Sequence, residues 1–435
     1  MNRDGSPARD SLSRQSSAVL ASTLVSSVLA FVFVLLVANV AGPASRGGLA
    51  FLVTLPTLLS FAATMGLETA NLHFAARRPD LRAALTWMSL VRGAAWGTAG
   101  AVAAGVVAAV APSVVPEGIP TAALVLTLAT TPLMCVQFLL VSLLTGAGRL
   151  APANFVRIAI PGVSIVALVA ATVAGDPRIG AAAAAWAGGQ AAGAAGAVAL
   201  TVAVLGRPRR DDRRALRDVA RYGLSAHAGN LADLATFRVD TLVLAHTHGT
   251  VETGIYAAAV NVAEVLLYLP TAVSSVLLPH RSRAGRTRPP RTGRTLAFVG
   301  GASVLAAAAG IVAAPRIVEL LYDDSFAPSV EPLRVLLVAM VGMSVRKVRA
   351  AEMAAVGRVG AASAVALATF GAVLVLDLVL IPQHGAEGAA WASAVAYVIG
   401  GALVVAVSAR ALRAARLAGR AGDQEGPGTE PPPAA

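Results

Sequence analysis

Twelve apolar runs, most of them twenty residues or longer, occupy the chain between Ser17 and Ala409. A helix needs about 20 such residues to cross a bilayer, because its backbone polar groups must be satisfied within the segment once water is gone. The runs fall at 17–41, 47–69, 84–111, 120–144, 153–174, 179–205, 221–247, 252–279, 294–315, 330–347, 359–382 and 386–409. They do not alternate with period two, which argues against a barrel. Composition agrees: 56% of the 435 residues are hydrophobic and 13% charged, about half the charged share of a soluble domain. The expected fold class is an all-α polytopic membrane protein of about twelve transmembrane helices. The first run, from Ala18 to Ala41, is longer than the roughly 7–15 apolar residues of a signal peptide and is expected to be a retained span.

The formal charge of +12 is unevenly distributed. Alternate loops carry it: Arg77, Arg78 and Arg82; Arg149; six arginines between Arg207 and Arg217; five between Arg281 and Arg291; Arg349 and Arg358; and Arg410 to Arg420 at the end. The intervening loops hold only Arg46, Arg178 and Arg316 beside several acids. Cytoplasmic loops collect Lys and Arg, so the pattern places both termini in the cytoplasm and the chain in the cell membrane. It is a topology signal, not a nucleic-acid patch, and juxtamembrane arginines also attract anionic membrane lipids. The expected organisation is a cytoplasmic N-terminal segment (1–16), a first six-helix bundle (17–205), a basic linker (206–220), a second bundle (221–409) and a disordered tail (410–435) rich in Pro, Gly and Glu.

Two bundles are expected because the halves resemble each other. LLVANVAGPASRGGLA (35–50) lies over LVLAHTHGTVETGIYA (242–257) without a gap, bringing Gly42 onto Gly249 and Gly47 onto Gly254. GAAAAAWA (180–187) lies over GAEGAAWA (385–392), and AGR (147–149) over VGR (356–358), at nearly the same offset. Six spans per unit gives both repeats one orientation, related by an axis along the membrane normal, with a substrate site expected between them.

Cys135 is the only cysteine, so no intrachain disulfide forms. No Walker motif, HExxH or CxxC occurs, and His227, His246 and His248 are too scattered to ligate a metal. No enzyme activity and no cofactor are expected. The informative polar residues lie within the apolar runs. The stretch from Arg221 to Leu269 carries Asn230, Asp233, Arg238 and Asp240, then Asn261 and Glu264. Ionisable groups inside a bilayer face a bundle interior or a wet cavity.

The same stretch, RYGLSAHAGNLADLATFRVDTLVLAHTHGTVETGIYAAAVNVAEVLLYLP, resembles the seventh and eighth helices of Wzx-like oligosaccharide flippases, bacterial polysaccharide-biosynthesis membrane proteins of the MOP exporter superfamily. AGPASRGGLAFLVTLPTLLSFAATMGLETANLHFAARRP resembles that family's first and second helices, and LLYDDSFAPSVEPLRVLL with LIPQHGAEGAAWASAVAYVIGGALVV its second half. The resemblance implies two six-helix bundles forming a V around a central cavity. It also implies transport of a lipid-diphosphate-linked oligosaccharide from the inner to the outer leaflet.

Such a cargo is anionic and needs buried positive charge, for which Arg suits bidentate phosphate contact. The candidate substrate-binding residues are Arg238, Arg92, Arg157 and Arg334. For Arg238 the alternative is an internal ion pair; for Arg157 and Arg334, near helix ends, it is snorkelling to the interface. Asp240, Asp233 and Glu264 are candidates for coupling to H⁺ or Na⁺, or for static ion pairs. Asp377 reads as a helix-end residue. Glu68, Asn71 and His73 read as closing the second span at the cytoplasmic interface. A glycan polymerase or glycosyltransferases are expected partners. The rival functions are a multidrug exporter of the MATE type, which would need an acid-rich cavity, a lipid II flippase, a glycan polymerase or ligase, and a non-transporting scaffold. The short outer loops argue against a polymerase or ligase.

Overall fold

The computed structural model describes residues 7–424 apart from 176–177, 211–212, 272, 274–291 and 356–357. The described elements are helical: α1 (Pro7–Ala63), α2 (Leu67–Arg77), α3 (Arg82–Val110), α4 (Thr121–Ala129), α5 (Thr131–Gly146), α6 (Leu150–Val173), α7 (Ile179–Leu205), α8 (Arg213–Thr236), α9 (Val239–Glu264), α10 (Thr292–Leu321), α11 (Val330–Ala355) and α12 (Val359–Gln424), with short 3₁₀ turns between some of them. Among the described residues nine helical stretches are long and apolar enough to cross a membrane.

Nine stretches meet the twelve expected spans because three of them fold back. α1 reverses at Gly42, with φ 74° and ψ −179°. α9 reverses at Gly249, with φ 78° and ψ −171°. α12 reverses at Gly385, with φ 55°. Backbone near the first two pairs of angles is open essentially to glycine alone. The reversals are visible in contacts that a straight helix forbids. Phe33 and Leu49 share one buried cluster, although a straight helix would hold them about 24 Å apart. Tyr256 donates to Asp240, sixteen residues before it, at 2.5 Å. Two other spans are broken rather than reversed: α4 gives way to α5 at Thr130, just before Pro132, and α8 gives way to α9 at Phe237 and Arg238.

Both ends of the helical region run further than expected. α1 begins at Pro7, a residue suited to a first helical turn. α12 continues through 410–424, where the Ala-, Leu- and Arg-rich sequence favours helix over the expected disorder. The basic loop from Arg281 to Arg291 and the ends at 1–6 and 425–435 lie outside the described residues.

The buried core falls into two principal clusters. One packs Leu85, Met88, Leu139, Leu140, Leu143 and Leu144 among α2, α3, α5 and α6. The other packs Tyr256, Tyr322, Phe326, Leu336, Met343 and Tyr397 among α9 to α12. The outward faces are apolar as well: Val173, Val312 and Leu320 are 83%, 83% and 84% exposed. That pattern fits a surrounding of lipid, not water.

Among the described residues, close backbone contacts join the halves at two places. At the end marked by the glycine reversals, a Cβ on Gly47 would overlap the Thr250 carbonyl, and a Cβ on Gly254 would overlap the Pro43 carbonyl. These contacts are reciprocal, with 43 related to 250 as 47 is to 254, the offset that aligns the two sequence segments. The opposite end lies nineteen residues along, about 28 Å at helical rise. There Gly66 and Gly223 touch backbone to backbone, Asn230 donates to Thr69 at 3.1 Å, and the His73 and Tyr222 rings lie 4.4 Å apart.

Candidate functional site

The break between α8 and α9 positions the most polar residues of the interior. Arg238 occupies the residue before α9 with non-helical torsions. Its Nη1 donates to Glu264 Oε1 and to the Phe237 carbonyl, each at 3.3 Å. Two residues on, Asp240 accepts from the Thr241 amide at 2.6 Å and from Tyr256. A carboxylate is favoured in a first helical turn, where backbone amides lack helical partners.

Arg238 opens onto a cavity of about 750 Å³ between the halves. α1 contributes Arg46, Thr54 and Thr57, α2 contributes Glu68, α5 contributes Gln137 and Ser142, α6 contributes Arg157 and Ser164, α7 contributes Trp186 and Gln190, and α9 contributes Asn261 and Glu264. Three arginines thus face two carboxylates, an excess of one positive charge. Arg46 is within electrostatic reach of Arg238 and Glu264.

Of the residues singled out in the sequence, Arg238, Arg157 and Glu264 line this cavity together. Arg238 lines the cavity and pairs with Glu264 at once. Arg92 is half-buried on α3 and is not among the lining residues. Arg334 bonds Glu331 one turn before it on α11 at 2.5 Å, also away from the cavity. Asp233 bonds the buried Arg346 of α11 at 2.5 Å. Asp240 is buried behind the cavity wall, 3% exposed. Asp377 is fully buried, and among the described residues neither carboxylate oxygen has a hydrogen-bond partner. The residue lies about two turns before the reversal at Gly385 and faces the packed interior instead of the interface expected of a helix end.

Arg46, Glu68, Gln137 and Gln190 are among the lining residues not singled out as site candidates. Arg46 counted as a loop residue, but the reversal at Gly42 is so tight that helix resumes at once and carries Arg46 inside, 4% exposed. Glu68 follows a break at Met65 and Gly66, both with positive φ, and faces the cavity. Gln137 and Gln190 are buried amides, 4% and 6% exposed. Uncharged polar residues within long apolar runs are the signal that finds them. Among the described residues no cluster of three or more His, Cys, Asp or Glu could hold a metal ion.

Residues 12–284 match the family described as polysaccharide biosynthesis protein. The chain belongs to this family. Curated proteins yield no match. Among solved structures, this polysaccharide biosynthesis protein is similar to the lipid II flippase MurJ in an inward closed conformation, with TM-score 0.75, 12% identity and coverage of 89% of this chain and 86% of that one. It is also similar to a multidrug resistance MATE family transporter of the MOP superfamily in an inward-facing conformation (0.70, 15%, 90% and 95%). The Vibrio cholerae MATE transporter VcmN in its bent form gives 0.62, 16%, 94% and 98%. At these identities the likeness establishes the fold.

Proposed function

We propose that this family member moves an anionic lipid-linked saccharide between the leaflets of the cell membrane, from the cytoplasmic to the outer face, by alternating access. The observation that carries the reading is the cavity between the halves, where Arg46, Arg157 and Arg238 outnumber Glu68 and Glu264. A guanidinium offers a planar fork of donors to phosphate oxygens, and low-dielectric walls strengthen that contact. An exporter of organic cations would be served by the opposite balance. The positive-inside pattern sets the His73–Tyr222 end at the cytoplasm and the Gly47–Gly254 end outside. The reciprocal glycine contact supports a duplicated six-helix unit, with each half moving as a body about the cavity.

We assign the coupling step to Asp240 and Asp377. Both are buried in the second half within electrostatic reach of each other, and the unpartnered oxygens of Asp377 would be satisfied by a proton or a monovalent cation. The test is leaflet inversion of polyprenyl-diphosphate oligosaccharide in proteoliposomes under proton and Na⁺ gradients. Wild type should invert the lipid, Arg238→Ala and Arg46→Ala should lose most of that activity while remaining folded, and Asp240→Asn should lose the response to the gradient. Absence of inversion by wild type under either gradient would sink the reading.

A further inference from the structure

Three cations crowd one carboxylate. Glu264, on the cavity wall at the end of α9, is within electrostatic reach of Arg46 from α1, Arg238 from the break before α9, and Lys347 from α11. Arg238 holds it through a contact of 3.3 Å, longer than the roughly 2.7–2.9 Å of a well-made charge-assisted bond. Arg46 and Arg238 line the cavity, whereas Lys347 is not among the lining residues. Lys347 is the only lysine of the chain. Its ammonium donates to Thr271 Oγ1 at 3.3 Å and stands 5.9 Å from the centre of the ring of Phe237, the residue before Arg238. Both contacts are weak for a charge inside a membrane-spanning helix, and among the described residues no carboxylate is paired with it. The neighbouring Arg346 is pinned by Asp233 at 2.5 Å.

An anionic cargo that takes the Arg238 guanidinium competes with Glu264 for it. Parting a buried ion pair by removing one partner is strongly unfavourable, because the other charge is left uncompensated. We propose that Lys347 is the reserve counter-ion of Glu264. When a diphosphate binds Arg238, the Lys347 ammonium takes up Glu264 and leaves the guanidinium to the cargo. Lysine suits this part, since its ammonium rides a flexible four-carbon stem with three rotatable donors. Arg46 does not suit it, because it lines the cavity beside Arg238 and faces the same cargo. Glu264 then keeps a cation in both states, Arg238 when the cavity is empty and Lys347 when it is loaded. Lys347 is a positioning residue, because it acts on the cargo through Glu264 and Arg238. The inference rests on the anionic-lipid reading above and adds how the empty site holds its guanidinium and gives it up.

The test is calorimetric binding of a short-chain polyprenyl diphosphate to the purified full-length protein, arranged as a double-mutant cycle. Lys347→Met keeps an unbranched stem and removes the charge, and should weaken binding about tenfold or more. Lys347→Arg should stay close to wild type. Lys347→Met combined with Glu264→Gln should regain wild-type affinity or better, because no carboxylate then competes for Arg238. A lysine with a merely structural role gives no such rescue. Unchanged affinity in Lys347→Met would overturn the proposal, and so would a loss that the second substitution does not restore. A further measurement keeps the lysine in place. Carbon-13 at Cε of the only lysine gives one side-chain NMR signal, which should shift when the diphosphate is added to wild type and stay put when it is added to Glu264→Gln. A wild-type signal that does not move on binding would overturn the exchange, even if Lys347→Met fails to fold. If wild type does not bind the diphosphate at all, the anionic-lipid reading falls first, and the exchange with it.

Discussion

A guanidinium carries five N–H donors, and Arg238 engages its neighbours through one terminal nitrogen. Among the described residues its remaining donors make no hydrogen bond and can meet a ligand. Asp377 is the reverse case, a buried carboxylate with no hydrogen-bond partner on either oxygen among the described residues. An uncompensated buried acid destabilises the fold that contains it. Asp377→Leu is therefore expected to raise the apparent melting temperature by a few degrees in sodium-free buffer, measured by differential scanning fluorimetry, while abolishing gradient-driven transport. A fall in melting temperature would mean that Asp377 is held by partners in the native state. At this scale the sequence was partly legible. Arg238 stands out because it interrupts an apolar run far from either end. Arg46 is hidden because its place depends on the torsions of Gly42, and a glycine four residues earlier does not announce how tightly the chain will turn.

At the scale of elements, close backbone contact between α1 and α9 requires hydrogen at Gly47 and Gly254. Valine at either position would hold the two helices apart at that end. Gly47→Val is expected to leave the protein folded, to reduce lipid inversion at least tenfold, and to raise the labelling of Ala50→Cys by an impermeant thiol reagent added outside. Unchanged labelling would show that this contact does not seal the cavity. The opposite contact has its own sensitivity. Burial and the neighbouring Arg77 guanidinium lower the pKa of His73 below the usual 6.5. The closed contact with Tyr222 therefore binds fewer protons than the open one. It is fully favoured above pH 6.5 and weakens as pH falls below that value. Spin labels at Ala76→Cys and Arg221→Cys should report more of the parted state at pH 5.5 than at pH 7.5, and His73→Gln should remove the difference. The helices themselves were plain from length and hydropathy. The break at Thr130 is announced by Pro132 two residues on, whereas that at Arg238 was not legible, because apolar pattern reports which face a helix buries and says little about where tertiary contacts interrupt it.

At the scale of the whole molecule, the offset of about 207 residues seen in the sequence returns as a reciprocal contact between Pro43 and Gly254 and between Gly47 and Thr250. The matching segments could be aligned before the fold was known because each carries a glycine where the backbone turns at positive φ. The cavity could not be read, since its lining comes from separate helices of both halves and depends on how the halves are seated. That the halves touch at both ends of the cavity has an electrical consequence. A membrane that stores energy as an ion gradient tolerates no open pore, and a carrier that rests with both doors shut is an insulator. Vesicles containing the protein without cargo should hold a potassium diffusion potential as long as protein-free vesicles, and Gly47→Val, which props one door open, should not shorten that time while the contact between Gly66 and Gly223 still stands. Insulation then belongs to either contact alone, and the cell's voltage is at risk only when both part together.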